Sequence, residues 1–372
     1  MDGLSRTAYS DADRAHMARA LELAERGLFT TTPNPRVGCV ITRDGNPIGE
    51  GWHVRAGEAH AEVAALTDAN AREQEVRGAT LYVTLSPCNV QGRTPPCVDE
   101  IIRAGITRVV AAMRDPGAAQ ADGLARLAAA GITVDVGLLE AEARELNRGF
   151  VSRIARGLPW VRSKIAATLD GRTALASGES RWITGAPARD DGHAWRARAC
   201  AILTGVGTVL HDDPQLNVRA VATSRQPLKV IVDRNGDVPA GARVLEGGPA
   251  MIVTAGPRNP AWPDDVDVLA LPDGDERVDL GAMMRELARR GVNEVHVECG
   301  AKLNGALLRA GLIDELLVYL AGGLIGDPAR GMFEFPEPLR ALAGRTRLRW
   351  KAIDRIGEDL RIIARIEGGE EG

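Results

Sequence analysis

No run of about 18 apolar residues, the length a bilayer-crossing helix needs, occurs in the 372 residues of this chain. The opening stretch MDGLSRTAYSDADRAH lacks the apolar core of a secretory signal. Positive charge is not in excess, since 46 Lys+Arg against 50 Asp+Glu leave a net charge of −4. No overall basic field therefore points to nucleic acid or an anionic membrane. Aromatic residues make up only 3%, which leaves little of the stacking surface that a single strand or a splayed base requires. Cysteine is scarce and odd in number, five in all. That count argues against a disulfide framework and fits a cytoplasmic chain, where paired cysteines more often hold metal than each other. We expect a cytoplasmic protein with neither a nucleic-acid nor a membrane partner.

What is present is ordinary globular material: 45% hydrophobic and 26% charged residues, in a length that suits two or three domains. Ser10 to Gly27 reads as a capped helix with Met17, Leu21, Ala24 and Leu28 on its apolar face. RVGCVITRDGNPIGEGWH reads as a hairpin turning at Asp44-Gly45. Helices are predicted from about His60, from about Cys97, at 123–130 and at 139–148, between strands at 79–85, 108–113 and ITVDVG. Strands alternating with helices predict a three-layered α/β domain over residues 1–150. A second α/β domain, 160–372, opens at Trp160, with strands near 201–205, 229–233, 250–254, 294–299 and 315–321, helices at 187–198 and 279–291, and a closing hairpin. No internal repeat relates the halves.

The first half carries a metal-site pattern. His60 and Glu62 in EAHAE are too close in sequence to be two ligands on one helical face, so their jobs should differ. The missing ligands lie in SPCNVQGRTPPC, where Cys88 and Cys97 each follow a proline. Cys97 opens a helix, whose dipole favours a thiolate. One imidazole and two thiolates make a three-ligand Zn²⁺ site with a fourth position open to water, and Glu62 can reach that water. The pattern is that of a zinc hydrolytic deaminase, in which the glutamate shuttles protons. Taken singly, each of these residues reads better as a buried thiol or a polar helix start; taken together, at two strand-to-helix junctions, they read as the metal site. Cys39, Cys200 and Cys299 read as buried structural thiols.

Longer stretches resemble one family. TPNPRVGCVI, GEGWHVRAGEAHAE, GRTPPC, KIAATLDGRTALASGESRWITG, TVLHDDPQLNVR and VECGAKLNGALLRAGLIDEL follow, in one order, the bifunctional riboflavin biosynthesis deaminase–reductase family. The resemblance implies a cytidine-deaminase-like α/β/α domain followed by a dihydrofolate-reductase-like α/β domain. It implies deamination of a diaminopyrimidinone carrying a phosphoribosylamino group, then reduction of the ribosyl group to ribityl by NADPH. His60, Cys88 and Cys97 would hold zinc, with Glu62 as proton donor and acceptor. The matching NADPH positions are Ala166, Trp182, Thr208, Asp212, Gly300, Ala301, Lys302, Leu303, Asn304, Gly305 and Ala306. The matching substrate positions are Lys164, Ser180, Arg196, Leu216, Arg219 and Glu298.

The second half has no G-x-G-x-x-G after its first strand. Its glycines at strand-to-helix junctions, in TGVGTVLHDDP and ECGAKLNGALLRAG, suit phosphates approaching a helix N-terminus, the second stretch better than the first. Arg196 and Arg219 offer fork-shaped donors to a phosphate, Glu298 and Ser180 suit ribose hydroxyls, and Lys164 suits either. We also expect a homo-oligomer.

Two stretches depart from the family pattern. The family reads L-E-P-C-S-H-x-G-[RK]-T-P-P-C where this chain has LSPCNVQGRTPPC, so Ser86, Asn89 and Val90 stand for Glu, Ser and His. GAAQADG after MRDP differs as well. These changes bear on pyrimidine and phosphate recognition rather than on the metal. The alternative reading is a deaminase half that is degenerate or turned to another pyrimidine- or pterin-like ring, with only the reductase acting in the usual pathway.

Overall fold

Ser10 caps the first helix of the computed structural model, which describes residues 9–91, 95–117 and 123–368. The chain forms two units, Met1–Arg156 and Gly157–Gly372. The opening residues 1–8, Gly92 to Thr94 of the departing loop and most of the GAAQADG stretch lie outside the described residues.

In the first unit, helix α1 (Asp11–Glu25) begins with a reciprocal cap. Asp13 N donates to Ser10 Oγ at 3.1 Å and Ser10 N donates to Asp13 Oδ2 at 2.9 Å, which satisfies two orphan helix donors. Strands β1 (Gly38–Arg43) and β2 (Asn46–Trp52) form the expected hairpin. Asp44 and Gly45 both take positive φ, 52° and 79°, as a two-residue turn matched to strand twist demands. The rest runs α2 (Ala61–Ala71), β3 (Thr80–Leu85), α3 (Cys97–Ala104), β4 (Arg108–Met113), α4 (Gly123–Ala129), β5 (Thr133–Val136), α5 (Glu140–Leu146) and α6 (Arg148–Arg156). The five-stranded sheet has the order β2-β1-β3-β4-β5, with β3, β4 and β5 parallel.

Glycines bring the helices onto this sheet. A Cβ at Gly38 would lie 1.9 Å from Ala20 O of α1, and one at Gly51 would lie 2.4 Å from Ala65 N of α2. Gly38 pairs with Trp52, and Gly51 pairs with Cys39, so the two glycines point to opposite faces. Thus α1 and α2 cover the two sides of the hairpin, giving the α/β/α layering read from the sequence. The core between the layers is aliphatic, with Met17, Leu23, Ile41, Leu81, Ile101 and Leu127 fully buried.

The second unit contains β6 (Trp160–Thr168), β7 (Arg172–Ala174), α7 (Ala186–Arg198), β8 (Ala201–Gly205), α8 (Val206–Asp212), β9 (Leu228–Val232), β10 (Ala250–Thr254) and β11 (Asp267–Ala270). It continues with α9 (Leu280–Arg289), β12 (Glu294–Val297), α10 (Ala301–Arg309), β13 (Glu315–Ala321), β14 (Arg330–Gly331), β15 (Leu348–Ile356) and β16 (Asp359–Ile366). Nine strands form one sheet in the order β11-β10-β9-β8-β12-β6-β13-β16-β15, and β7 pairs with β14 separately. The strands from β11 to β13 are mutually parallel, while β16 and β15 add antiparallel to the edge as the anticipated hairpin.

Charges are also buried under this sheet. Arg162 of β6 is 3% exposed and reaches Glu315 of β13 at 2.6 Å and Glu294 of β12 at 3.3 Å. Arg198 joins Glu294 at 2.8 Å and Arg365 of β16 joins Glu315 at 3.3 Å. The Trp195 ring lies beside three guanidinium groups, those of Arg162 at 4.4 Å, Arg198 at 5.7 Å and Arg361 at 5.9 Å. Each charge thereby keeps a partner, as buried ions require.

Candidate functional sites

The first site forms where α2 and α3 start. His60 is the N-cap of α2 and Cys97 is the first residue of α3. Cys88 follows β3 in the loop that returns to Cys97, whose N–H donates to Cys88 Sγ at 3.3 Å. His60 Nδ1 lies 3.2 Å from Cys97 Sγ and 3.4 Å from Cys88 Sγ, and all three ligand atoms fall within 4.8 Å of one another. Tetrahedral Zn²⁺ with Zn–N of about 2.0 Å and Zn–S of about 2.3 Å sets N-to-S separations of about 3.5 Å. The three donors therefore fit a zinc ion in number, chemistry and spacing. Hydrogen bonding from Cys97, then from His60, pulls the Cys88 thiol down to about 4 against its burial, which prepares a thiolate ligand. The contact with Cys88 raises the Cys97 thiol, and the same sulfur raises His60.

Glu62 stands in the first turn of α2, 4% exposed. Burial pushes its carboxyl up to about 7, so it can hold or release a proton near neutrality. His53 and Asn34 complete the wall. His53 Nδ1 lies 3.0 Å from Ala59 O, a contact that only an N–H can make, so Nε2 accepts from Asn34 Nδ2 at 3.0 Å. Burial lowers the His53 pKa and keeps the ring neutral, edge-on to His60 at 5.4 Å. Sequence reading passed over both residues; the signal lay in the quoted TPNPRVG and GWH stretches, which the hairpin folds back toward His60.

The departing loop is tied down on its described side. Ser86 Oγ accepts from Asp115 N at 2.9 Å, and Asn89 Oδ1 accepts from Arg126 Nη1 at 3.0 Å. Arg126 also pairs with Asp99 of α3. Val90 projects outward, 39% exposed.

The second site is a cavity of about 1450 Å³ at the carboxyl ends of β6, β8 and β12. Chain connections leave β8 and β12 in opposite directions across the sheet, and crevices at such switch points hold ligands in open α/β sheets. Lys164, Ala166, Ser180, Trp182, Arg196, Thr208, Asp212, Leu216, Arg219, Glu298 and Gly300 to Asn304 all line it. Gly305 and Ala306, expected at the cofactor, do not. A Cβ at Gly305 would lie 2.0 Å from Glu334 O, so that glycine serves a close backbone contact of α10. A Cβ at Gly300 would meet nothing within 4 Å. The unpaired N–H groups of the first turn of α10 thus open onto the cavity, a fit for a dinucleotide phosphate.

Arg196 and Glu298 form a two-pronged pair: Nη2 donates to Oε2 at 2.8 Å and Nε donates to Oε1. The guanidinium fork that sequence reading gave to a phosphate is therefore occupied by Glu298. The Arg196 charge outweighs burial and holds the Glu298 carboxyl well below the usual range. Arg219 is exposed at the rim, with Nη1 donating to Asn217 Oδ1 at 3.0 Å. Burial lowers the Lys164 amine, and the nearby Glu298 works against that. Of the remaining thiols, Cys39 and Cys200 are buried as expected, whereas Cys299 lines the cavity, its Sγ donating to Asn304 Oδ1 at 3.1 Å.

A three-donor zinc site with a buried glutamate, joined in one chain to a cofactor-sized cleft on a parallel sheet, defines a deaminase unit linked to a reductase unit. Family models agree with both halves. The cytidine and deoxycytidylate deaminase zinc-binding region matches residues 10–113, and the RibD C-terminal domain matches 159–362. The chain belongs to the riboflavin biosynthesis protein RibD family. It is 46% identical to RibD of Escherichia coli over 362 residues, 94% of this chain and 98% of that protein. With RibD of Haemophilus influenzae it shares 43% over 369 residues, 95% of this chain and 97% of that one. The solved RibD of Acinetobacter baumannii superimposes with a TM-score of 0.88 at 41% identity, covering 95% of this chain and 99% of that one. A Thermotoga maritima structure, described as a diaminohydroxyphosphoribosylaminopyrimidine deaminase/5-amino-6-(5-phosphoribosylamino)uracil reductase, gives 0.87 at 33% over 95% and 99%. The chain is thus a bifunctional enzyme of riboflavin biosynthesis, a zinc-dependent deaminase joined to an NADPH-dependent reductase. No helix among the described residues is long and apolar enough to cross a membrane.

Proposed function

We propose that the first unit deaminates a diaminopyrimidinone bearing a ribosylamino phosphate and that the second reduces its ribosyl group to ribityl, in the cytoplasm and as a homo-oligomer. The observation that carries this reading is the meeting of His60, Cys88 and Cys97 beside a buried Glu62. It is joined by an Arg219-bearing cavity in the same chain. His60, Cys88 and Cys97 would hold the zinc, which would supply a Lewis acid that makes water nucleophilic near neutral pH. Glu62 would take a proton from the attacking water at its carboxylate and return it to the departing amine. The neutral His53 accepts from Asn34, fixing the Asn34 amide as a hydrogen-bonding edge for the ring.

In the second unit NADPH supplies the hydride, and the protein's task is alignment. The first turn of α10 holds the cofactor phosphates, Arg219 takes the substrate phosphate, and Lys164 with Glu298 orients the ribose hydroxyls. Arg196 acts by fixing Glu298. The test incubates purified protein with the diaminopyrimidinone ribosyl phosphate, with and without NADPH, and follows ammonia release and NADPH consumption separately. Ammonia without NADPH, then NADPH use proportional to it, is the expected result. NADPH use without ammonia would instead favour a degenerate or retargeted first unit.

A further inference from the structure

His193 stands on α7 one turn before Arg196 and lines the reductase cavity. It is 7% exposed, and its Nδ1 is fully buried with no hydrogen-bond partner. A buried nitrogen without a partner is tolerated better as a lone pair than as an unmet N–H donor. That assigns the ring proton to Nε2. The ring lies within electrostatic reach of Arg196 and Arg219, with Glu298 and Asp190 the acidic groups near it. Burial first, then the two arginines, lowers its pKa to about 4, so the imidazole stays neutral through the physiological range.

Of the two arginines read as phosphate donors, one has its fork already taken. Arg196 contributes positive charge, but its Nε and Nη2 are committed to Glu298. Arg219 is left as the one arginine of the pair with free directions, and it is exposed to solvent. A phosphate monoester presents three acceptor oxygens, more than one rim guanidinium satisfies.

We propose that His193 is a further substrate-recognition residue of the reductase site, a neutral Nε2–H donor to the phosphate that Arg219 also holds. The inference rests on the phosphate reading of Arg219 given above. A neutral donor suits this place, because protonating Nδ1 would bury a second N–H without an acceptor. Recognition by His193 should therefore not vary with pH where substrate phosphate is dianionic.

The test uses the full-length protein and ribose 5-phosphate, with ribose as the control. Wild type is compared with His193→Leu, His193→Gln and Arg219→Ala by calorimetric titration. Imidazole ¹⁵N resonances of the wild type are recorded with and without ribose 5-phosphate. We expect His193→Leu to weaken ribose 5-phosphate binding about tenfold, the loss of one hydrogen bond to a charged group, and to leave ribose binding unchanged. His193→Gln should recover part of the loss. The wild-type resonance absent from His193→Leu should report an Nε2–H tautomer at pH 7 and should shift when ribose 5-phosphate binds. An Nδ1–H tautomer, or a resonance indifferent to ribose 5-phosphate, overturns the inference whether or not the variants fold. Loss of affinity in Arg219→Ala but not in His193→Leu overturns the inference alone. Unchanged affinity in Arg219→Ala, or no binding to wild type, overturns the phosphate reading and this inference together.

Discussion

Glu62 is the residue at which the deaminase chemistry can be separated from everything else. Glu62→Gln keeps the shape and the helix start but cannot carry a proton, so ammonia release should fall by about 10²–10⁴-fold. Zinc content and NADPH oxidation with a deaminated substrate should remain near wild type, and metal analysis beside the two assays checks this. Equal loss of both activities would point to misfolding. His60, Glu62 and Cys97 were readable as candidates because they sit at helix starts. Cys88 was readable because its loop leads from β3 straight to Cys97, so spacing restricts what each side chain can reach. Arg196 was legible only in part. Its charge was visible, but the carboxylate that takes its fork is 102 residues away. Asn34, His53 and His193 were passed over for the same reason, since what an amide or an imidazole does depends on which groups fold against its nitrogens.

Elements carry their own sensitivities. Gly51→Ala forces a methyl into the α2 backbone at Ala65, where neither atom can yield without moving the helix. We expect about 1–3 kcal/mol of destabilisation or more, with α2 displaced and His60 and Glu62 with it. Zinc content and ammonia release should drop while NADPH oxidation holds. The α1 cap gives a pH test. Burial would raise the Asp13 carboxyl, but hydrogen bonds from Ser10 and Arg108 outweigh it and hold it well below its ordinary value. A carboxyl depressed on folding contributes stability that is complete above its unfolded pKa of about 3.9 and is lost as pH falls through its folded value. Asp13→Asn should therefore lower the melting temperature at pH 7, and the gap to wild type should narrow below about pH 4. Most helices and strands were legible from their periodicity and caps. The exceptions lacked a pattern: β7 and β14 are three and two residues long, and β11 is a half-exposed edge strand of four. Helix α6 continues past Phe150 to Arg156, because RIAR after it keeps good helix formers up to Gly157.

At the scale of the whole chain, two units with separate cores should unfold in two steps. Ligands stabilise only the unit that binds them. A zinc chelator should lower one calorimetric transition and leave the other in place, and NADPH should raise only the second. A single merged transition shifting with both ligands would contradict this separation. The charge lattice beneath the second sheet has an optical consequence. Trp195 lies against three guanidinium groups and is bonded in sequence to Arg196, on the same helix as His193. Indole emission responds to the field around the ring, so this tryptophan doubles as a built-in dye for the helix that carries His193 and Arg196 to the cleft. Ribose 5-phosphate should shift the protein's fluorescence, and Trp195→Phe should remove part of that shift, the remainder coming from Trp182, which lines the cavity itself.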